Sequence, residues 1–262
     1  MSYPFSRINI NSLDKIKLND YGHYNYKTID FFFKNVDLND YLIIYLHGAI
    51  YIDKKTNKVI QKPIFYHWNY VYKNCDTLCL SDKLLDIYDS KNLELSWFLS
   101  TPTNYYFDIY IEILKFIINK NYKKVLFTGI SGAGFPAIIF SSYFKCNCLI
   151  FNPQIYLNKY HYFDKFLNIL NIDESNLDID IEKLLIKKGP PNKIILIINK
   201  NDDHSYKEHG IFFELFMLKY FENHIKTIFF KGAEPPEGKS HHRIFLPDNV
   251  NFNNLLIESL LY

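Results

Sequence analysis

The sequence predicts an α/β fold in which a mostly parallel central sheet is covered by helices on both faces. With 262 residues, of which 48% are hydrophobic, the chain is long enough to bury the core of one such domain. Short apolar segments alternate with longer segments whose apolar residues recur at helical spacing. Strands that are apolar throughout are typical of a parallel sheet that is buried on both faces.

The elements follow one another in a regular order. In the first half, strands are predicted at YNYKTIDFFF, DYLIIYLHGA and DTLCLSD, and a helix at NYYFDIYIEILKFIINK, just after Pro102. In the second half, strands are predicted at KKVLFTGI, NCLIFNPQ, KIILIINK and IKTIFFKG, and helices at GFPAIIFSSYF, KEHGIFFELFMLKYF and NVNFNNLLIESLLY.

No linker or repeat divides the sequence, so a single domain over residues 1–262 is predicted. The segment around 155–192 is predicted as a small insertion or cap, because DESNLDIDIEKLLIKKGPPN is acidic and polar and ends in a glycine and two prolines.

Composition excludes several function classes. A net charge of +2 without a dense Lys/Arg stripe gives no footprint for nucleic acid. No stretch approaches the roughly 20 apolar residues of a membrane-spanning helix. The start, MSYPFSRINI, lacks the features of a secretory signal, so a cytoplasmic protein is expected. Neither the cysteine spacings, C-x-x-x-C and C-x-C, nor the DDHSYKEH segment matches a common metal-binding pattern, and no metal is predicted.

The segment KKVLFTGISGAGFPAIIFSSYF places one serine at a glycine-rich corner between a strand and a helix. Its Gly129-Ile130-Ser131-Gly132-Ala133 core departs by one residue from the G-x-S-x-G nucleophile elbow. The N–H of Gly132, at the start of the helix, would then stabilise an oxyanion. The alternative is a turn that packs the helix close to the strand or binds phosphate, although neither the Walker A nor the dinucleotide pattern is present.

A nucleophilic serine needs an acid and a base, and in this type of site the chain order is serine, acid, histidine. Asp202 follows the strand KIILIINK and is the preferred acid, with Asp203 as the alternative. The competing interpretation is that either aspartate instead caps the next helix. His241 is the preferred base, with His242 as the alternative, in the loop before the last helix.

Early in the chain, His47-Gly48-Ala49 follows an apolar strand, as the His-Gly motif of esterases and lipases does. Gly48 or Ala49 is expected to supply the second oxyanion N–H. His47 would either bond to the local backbone or contact substrate, and His204 and Trp97 are further predicted substrate contacts.

The segments LFTGISGAGFPAIIF, LIFNPQIYL and NKNDDHSY, with the late histidine loop, resemble α/β-hydrolase-fold proteins. More narrowly, they resemble the serine-triad proteins of bacterial capsule and surface-glycan pathways. The sequence departs from the pattern of these proteins in two places. Ala133 stands where the elbow has its last glycine. KGAEPPEG lacks a histidine directly after its first glycine, and this leaves the choice between His241 and His242 open.

The resemblance implies an α/β-hydrolase-like fold and O-acetyl transfer to a capsular or other surface glycan. Acetyl-CoA would be the acyl donor, with no resident cofactor, and the protein would be peripheral to a polysaccharide-assembly complex. Two alternatives stay open at this point. One is a carbohydrate esterase or deacetylase that uses the same triad. The other is a non-catalytic, hydrolase-like subunit that binds a glycan or a partner protein.

Overall fold

The computed structural model describes residues 6–16, 21–35, 40–50, 52–53, 58–59, 75–88, 93–232 and 252–261. The chain forms two compact units, one of residues 1–125 with 164–178 and one of residues 126–163 with 179–262. The expected single domain with a cap around 155–192 stays a prediction.

The strands are β1 (Arg7–Ile10), β2 (Tyr21–Tyr26), β3 (Ile29–Lys34), β4 (Tyr41–Leu46), β5 (Ile52–Asp53), β6 (Lys58–Val59), β7 (Asp76–Leu80), β8 (Lys124–Ile130), β9 (Asn147–Phe151), β10 (Lys193–Asn199) and β11 (Ile225–Phe230). The helices are α1 (Lys83–Ile87), α2 (Phe107–Ile118), α3 (Gly134–Phe144), α4 (Phe163–Leu170), α5 (Ile181–Lys188), α6 (Ile211–Phe221) and α7 (Phe252–Leu261). None of these helices is both long enough and apolar enough to cross a lipid bilayer.

In the first unit the strand order is β1-β2-β3-β7-β4. The pairs β1/β2 and β4/β7 are parallel, whereas β2/β3 and β3/β7 are antiparallel. The prediction of one strand over YNYKTIDFFF is wrong, because the chain reverses at Lys27 and Thr28. Both residues have positive φ, 46° and 73°. Two successive residues with positive φ form the tight turn whose twist fits a β-hairpin.

In the second unit the strands β8, β9, β10 and β11 are neighbours in that order and all run parallel. Helices lie on both faces of β9. Asn147 donates a side-chain hydrogen bond to the carbonyl of Ser259 in α7 (2.8 Å), and the next residue, Cys148, hydrogen-bonds with Ser141 in α3. Because successive side chains of a strand point to opposite faces, α3 and α7 cover opposite sides, as predicted.

The helix predicted over KEHGIFFELFMLKYF begins with a wider turn. Residues His204–Gly210 form a π-helix that leads directly into α6, and the N–H of Ile211 donates to the carbonyl of Tyr206, five residues earlier. Gly210 fits here because a Cβ atom would lie 2.1 Å from Cδ1 of Ile198 in β10. Such widened turns are frequent near functional sites.

Candidate active site

Ser131 occupies the corner between β8 and α3. It opens a short 3₁₀ turn, Ser131–Ala133, directly after the strand, and α3 begins at Gly134. Its φ is 56°, in the left-handed region, which costs a non-glycine residue about 1–3 kcal/mol to adopt. The nucleophile elbow requires this sharp, strained turn. Ser131 as a whole is half-buried.

Close approach of the backbone explains the small residues around the serine. A Cβ atom at Gly129 would lie 2.5 Å from Cβ of Ala133, and one at Gly134 would lie 2.2 Å from Cβ of Pro153. Ala133 therefore replaces the last glycine of the motif without a clash only because position 129 has no side chain. The departure from G-x-S-x-G is accommodated within the corner itself.

Gln154, in the segment after β9, holds the serine from two directions. Its side-chain Nε2 donates to Oγ of Ser131 (3.3 Å), and its backbone N–H donates to the carbonyl of Ser131 (2.9 Å). Gln154 is 0% exposed. It was not among the sequence-predicted site residues; the signal that could have found it is its place just beyond the strand next to the serine strand, within the resembling segment LIFNPQIYL.

The two adjacent aspartates occupy different environments. Asp202 is 0% exposed, and its carboxylate accepts hydrogen bonds from the N–H of Ser205 (3.0 Å) and Nδ2 of Asn152 (3.3 Å). The Asp203 side chain is 69% exposed and forms an ion pair with Lys207 (2.7 Å). Only one of the pair is thus buried with a fixed orientation, and this favours Asp202 as the orienting acid.

Asn152 links the ends of two neighbouring strands. Its φ is 38°, its N–H donates to the carbonyl of Ile197 in β10 (2.9 Å), and its Oδ1 accepts from the N–H of Asn199 (2.8 Å). Its Nδ2 is therefore held where it meets Asp202. Because β8, β9 and β10 are parallel neighbours, Ser131, Asn152 and Asp202 follow strands that end at one edge of the sheet.

His241 and His242, the predicted bases, lie outside the described residues, so the assignment of a base stays a prediction. Gly132 is buried within the 3₁₀ turn ahead of α3. That position is in the first turn of a helix, where backbone N–H groups lack intrahelical acceptors. Its predicted contribution to an oxyanion hole stays a prediction as well.

In the first unit, His47 orders the loop that follows β4. Its Nδ1 lies 2.9 Å from the carbonyl of Gly48, and its Nε2 lies 3.0 Å from the N–H of Asp82, which donates to it. The proton therefore resides on Nδ1, and burial lowers the pKa of His47 to about 4. With both nitrogens engaged and the ring buried, the geometry favours the loop-shaping role over substrate contact. Within this loop Gly48 is buried and Ala49 is exposed.

Trp97 was predicted to contact substrate, but its side chain belongs to the core of the first unit. It is 1% exposed and packs edge-on against Phe166, with ring centroids 5.4 Å apart. This burial argues against a sugar-stacking role for Trp97.

The residue after Trp97 contacts a buried acid. The carboxylate of Asp82 accepts from the N–H of Phe98 (2.7 Å), and burial raises the pKa of Asp82 to about 6.

His204 and His209 form a coupled pair in the second unit. Nδ1 of the buried His209 accepts from the N–H groups of Ile155 (3.4 Å) and Tyr156 (3.2 Å), so its proton resides on Nε2. That Nε2 lies 3.1 Å from Nε2 of His204 and donates to it. Both ring nitrogens of His209 are thus engaged in hydrogen bonds, and within the described ranges no group of three or more His, Cys, Asp or Glu side chains could hold a metal ion. His204 is half-buried beside Tyr160, and its predicted role in substrate binding stays a prediction.

No protein-family model matches the chain, and no curated protein sequence is similar to it. Solved structures do match. The capsule O-acetyltransferase of Neisseria meningitidis serogroup A has a TM-score of 0.55 and 16% identity, with 84% of this chain and 92% of that one covered. An S-formylglutathione hydrolase from Agrobacterium tumefaciens has a TM-score of 0.50 and 13% identity, with 79% and 82% covered.

This chain has an α/β-hydrolase-like fold. A further match is to the glycosylation-associated Gap123 complex from Streptococcus agalactiae, with a TM-score of 0.52 and 14% identity. It covers 82% of this chain but 41% of that one. At these identities the likeness to all three structures is a likeness of fold.

Proposed function

We propose that this α/β-hydrolase-like protein is a serine-dependent acyltransferase that acetylates a hydroxyl group of a capsular or other surface glycan. The observation that carries the proposal is the strained Ser131 corner, at the sheet edge where the buried and oriented Asp202 also follows its strand. The choice of an acetyl group and a glycan is supported by the sequence resemblance and by the likeness of fold to a capsule O-acetyltransferase.

In the proposed reaction, the imidazole of His241, or of His242, removes the proton of Ser131 while Asp202 orients the ring. Oγ attacks the thioester carbonyl of acetyl-CoA. The N–H of Gly132 and that of Gly48 or Ala49 are the proposed donors to the oxyanion. The C–S bond breaks, the thiolate takes the proton, and an acetyl-serine ester is left. A sugar hydroxyl then gives its proton to the imidazole and attacks the ester carbonyl. The bond between the acetyl carbon and Oγ breaks, the imidazolium returns the proton to Oγ of Ser131, and the acetylated sugar leaves.

The proposed acceptor also suggests where the protein works. We place it in the cytoplasm, where it would act at the periphery of a complex that assembles a surface polysaccharide. The fold likeness to part of a glycosylation-associated complex is what supports the proposed complex. The cytoplasmic location is an expectation from the sequence.

The function is tested first on Ser131. We expect a fluorophosphonate probe to label the purified chain at Ser131, and mass spectrometry of the digested protein to locate the label. Ser131→Ala should take no label and should transfer acetyl groups about 10⁴-fold more slowly, because the nucleophile is lost. Ser175→Ala, at an exposed serine outside the site, should match the wild type. Equal circular dichroism of the three chains controls for folding.

The same preparations distinguish the neighbouring functions. Acetylation of a de-O-acetylated capsular polysaccharide only in the presence of acetyl-CoA supports the transferase. Release of acetate from the acetylated polysaccharide without transfer would replace it with an esterase. A folded wild-type chain without label or activity would contradict an enzymatic role and indicate a glycan- or partner-binding subunit.

A further inference from the structure

We propose that Gln154 is a positioning residue that holds the hydroxyl of Ser131 ready for attack. The inference deepens the proposed function and rests on Ser131 being the nucleophile. It follows from a direct contact: the fully buried amide of Gln154 places Nε2 3.3 Å from Oγ of Ser131.

The glutamine is fixed on both sides by its own segment. Before it, the N–H of Asn152 is bonded to β10. After it, the N–H groups of Ile155 and Tyr156 both donate to Nδ1 of His209. Its own N–H donates to the carbonyl of Ser131 at 2.9 Å. The side-chain amide therefore extends from an anchored backbone toward Oγ, and burial prevents it from turning to solvent.

The direction of this hydrogen bond has a chemical consequence. An amide nitrogen donates and does not accept, so Oγ is the acceptor and its own hydrogen stays available to a base. When that hydrogen leaves, negative charge develops on Oγ, and the bond from Gln154 becomes a charge-assisted one. Gln154 thus stabilises the attacking form of Ser131 more than its resting form, while it also keeps Oγ in one rotamer.

The test measures the rate at which a fluorophosphonate probe labels Ser131. In this step Oγ gives its proton to the base, the Oγ–P bond forms, the P–F bond breaks and fluoride leaves. Gln154→Met keeps the length and apolar stem of the side chain but removes the donor. We expect its labelling rate to fall about 10- to 100-fold, as expected for one lost bond to a charged atom.

A second variant gives a readout that a purely structural role would not change. Gln154→Glu has the same shape, and its carboxyl group donates to Oγ when protonated but competes for the serine proton when ionised. We expect its labelling rate, divided by the wild-type rate at the same pH, to fall as the pH rises through the pKa of the new carboxyl group. A missing packing contact alone would give a ratio that does not change with pH.

The outcomes separate the two proposals. A wild-type chain that is labelled at Ser131, together with a Gln154→Met variant that is labelled equally fast, overturns the role of Gln154 alone. A Gln154→Glu ratio that is constant with pH does the same. Absence of label at Ser131 in the wild type overturns the nucleophile and, with it, the role of Gln154. If Gln154→Met does not fold, the pH series on Gln154→Glu decides, because it uses a different variant whose folding is checked by circular dichroism.

Discussion

Two of the strand ends that the sequence singles out, those of β4 and β8, are built in opposite ways. After β4, His47 turns inward, and both its nitrogens are engaged in hydrogen bonds with the backbone of its own unit. After β8, Ser131 stands at a half-buried corner with a strained backbone and accepts a bond from a buried amide. A polar residue at a strand end can thus order its own loop or, as proposed for Ser131, take part in a reaction. Its burial and hydrogen-bond partners distinguish the two.

The largest expected effect is at Asp202, the proposed acid, which follows β10, two strands from the serine strand. Asp202→Asn should lower the acylation rate of Ser131 about 10⁴-fold, because an amide cannot hold the base in the right tautomer. The matched control is the adjacent Asp203→Asn, whose exposed side chain forms a surface ion pair and which should stay within about twofold of the wild type. Stopped-flow labelling or acetyl-transfer assays measure both. Equal losses in the two variants would show that burial does not identify the acid.

The next effect, at His47, should appear in stability. His47→Gln breaks two buried hydrogen bonds and should lower the free energy of unfolding near neutral pH by about 2–4 kcal/mol. Urea unfolding monitored by circular dichroism measures it. An unchanged unfolding midpoint would contradict the loop-shaping role.

The loss of unfolding free energy in His47→Gln should depend on pH in a defined direction. The pKa of His47 is lowered to about 4 in the folded chain, below its ordinary value of 6.5. The contribution of His47 to the free energy of unfolding is thus fully present above pH 6.5 and is lost as the pH falls toward 4, because the unfolded chain binds the proton first. The stability difference between wild type and His47→Gln should therefore shrink by about 3 kcal/mol over this range. Asp82, whose pKa is raised by burial, acts in both chains and cancels in the difference.

The smallest expected effect is a loss of stability when the close packing at the serine corner is disturbed. Gly134→Ala would place a Cβ atom 2.2 Å from Cβ of Pro153 and should cost about 1–3 kcal/mol of stability through overpacking. The control is Gly22→Ala in the first unit, where the nearest atoms to the added Cβ would be at 3.4 Å. Thermal unfolding of the two variants should show a lower midpoint for the first. A reversed order would mean that the corner relaxes more easily than its backbone contacts indicate.

Local signals explain what the sequence predicted well. The parallel strands of the second unit are rich in apolar residues, and glycines around Ser131 mark a corner where backbone segments meet. The hairpin between β2 and β3 was missed because lysine and threonine are unusual in a turn with two positive φ angles. No glycine, asparagine or aspartate marked that turn.

Long-range contacts explain what the sequence could not provide. Gln154 contacts Ser131 only because β9 lies beside β8, and neither segment by itself determines the order of the strands in the sheet. Asp202 and Asp203 are identical in type, and only the path of the backbone decides which one is buried. For Trp97, aromatic character alone does not distinguish a binding surface from a core.

The π-helix at His204–Gly210 has a hydrogen bond that spans five residues, whereas those of a regular helix span four. Its backbone therefore holds one residue more than a regular turn would. The same stretch supplies the N–H of Ser205 that fixes the carboxylate of Asp202. Deleting one residue here would tighten the turn toward a regular one and change which N–H groups face that carboxylate. The orientation of Asp202 thus depends on the number of residues in this stretch as well as on their types.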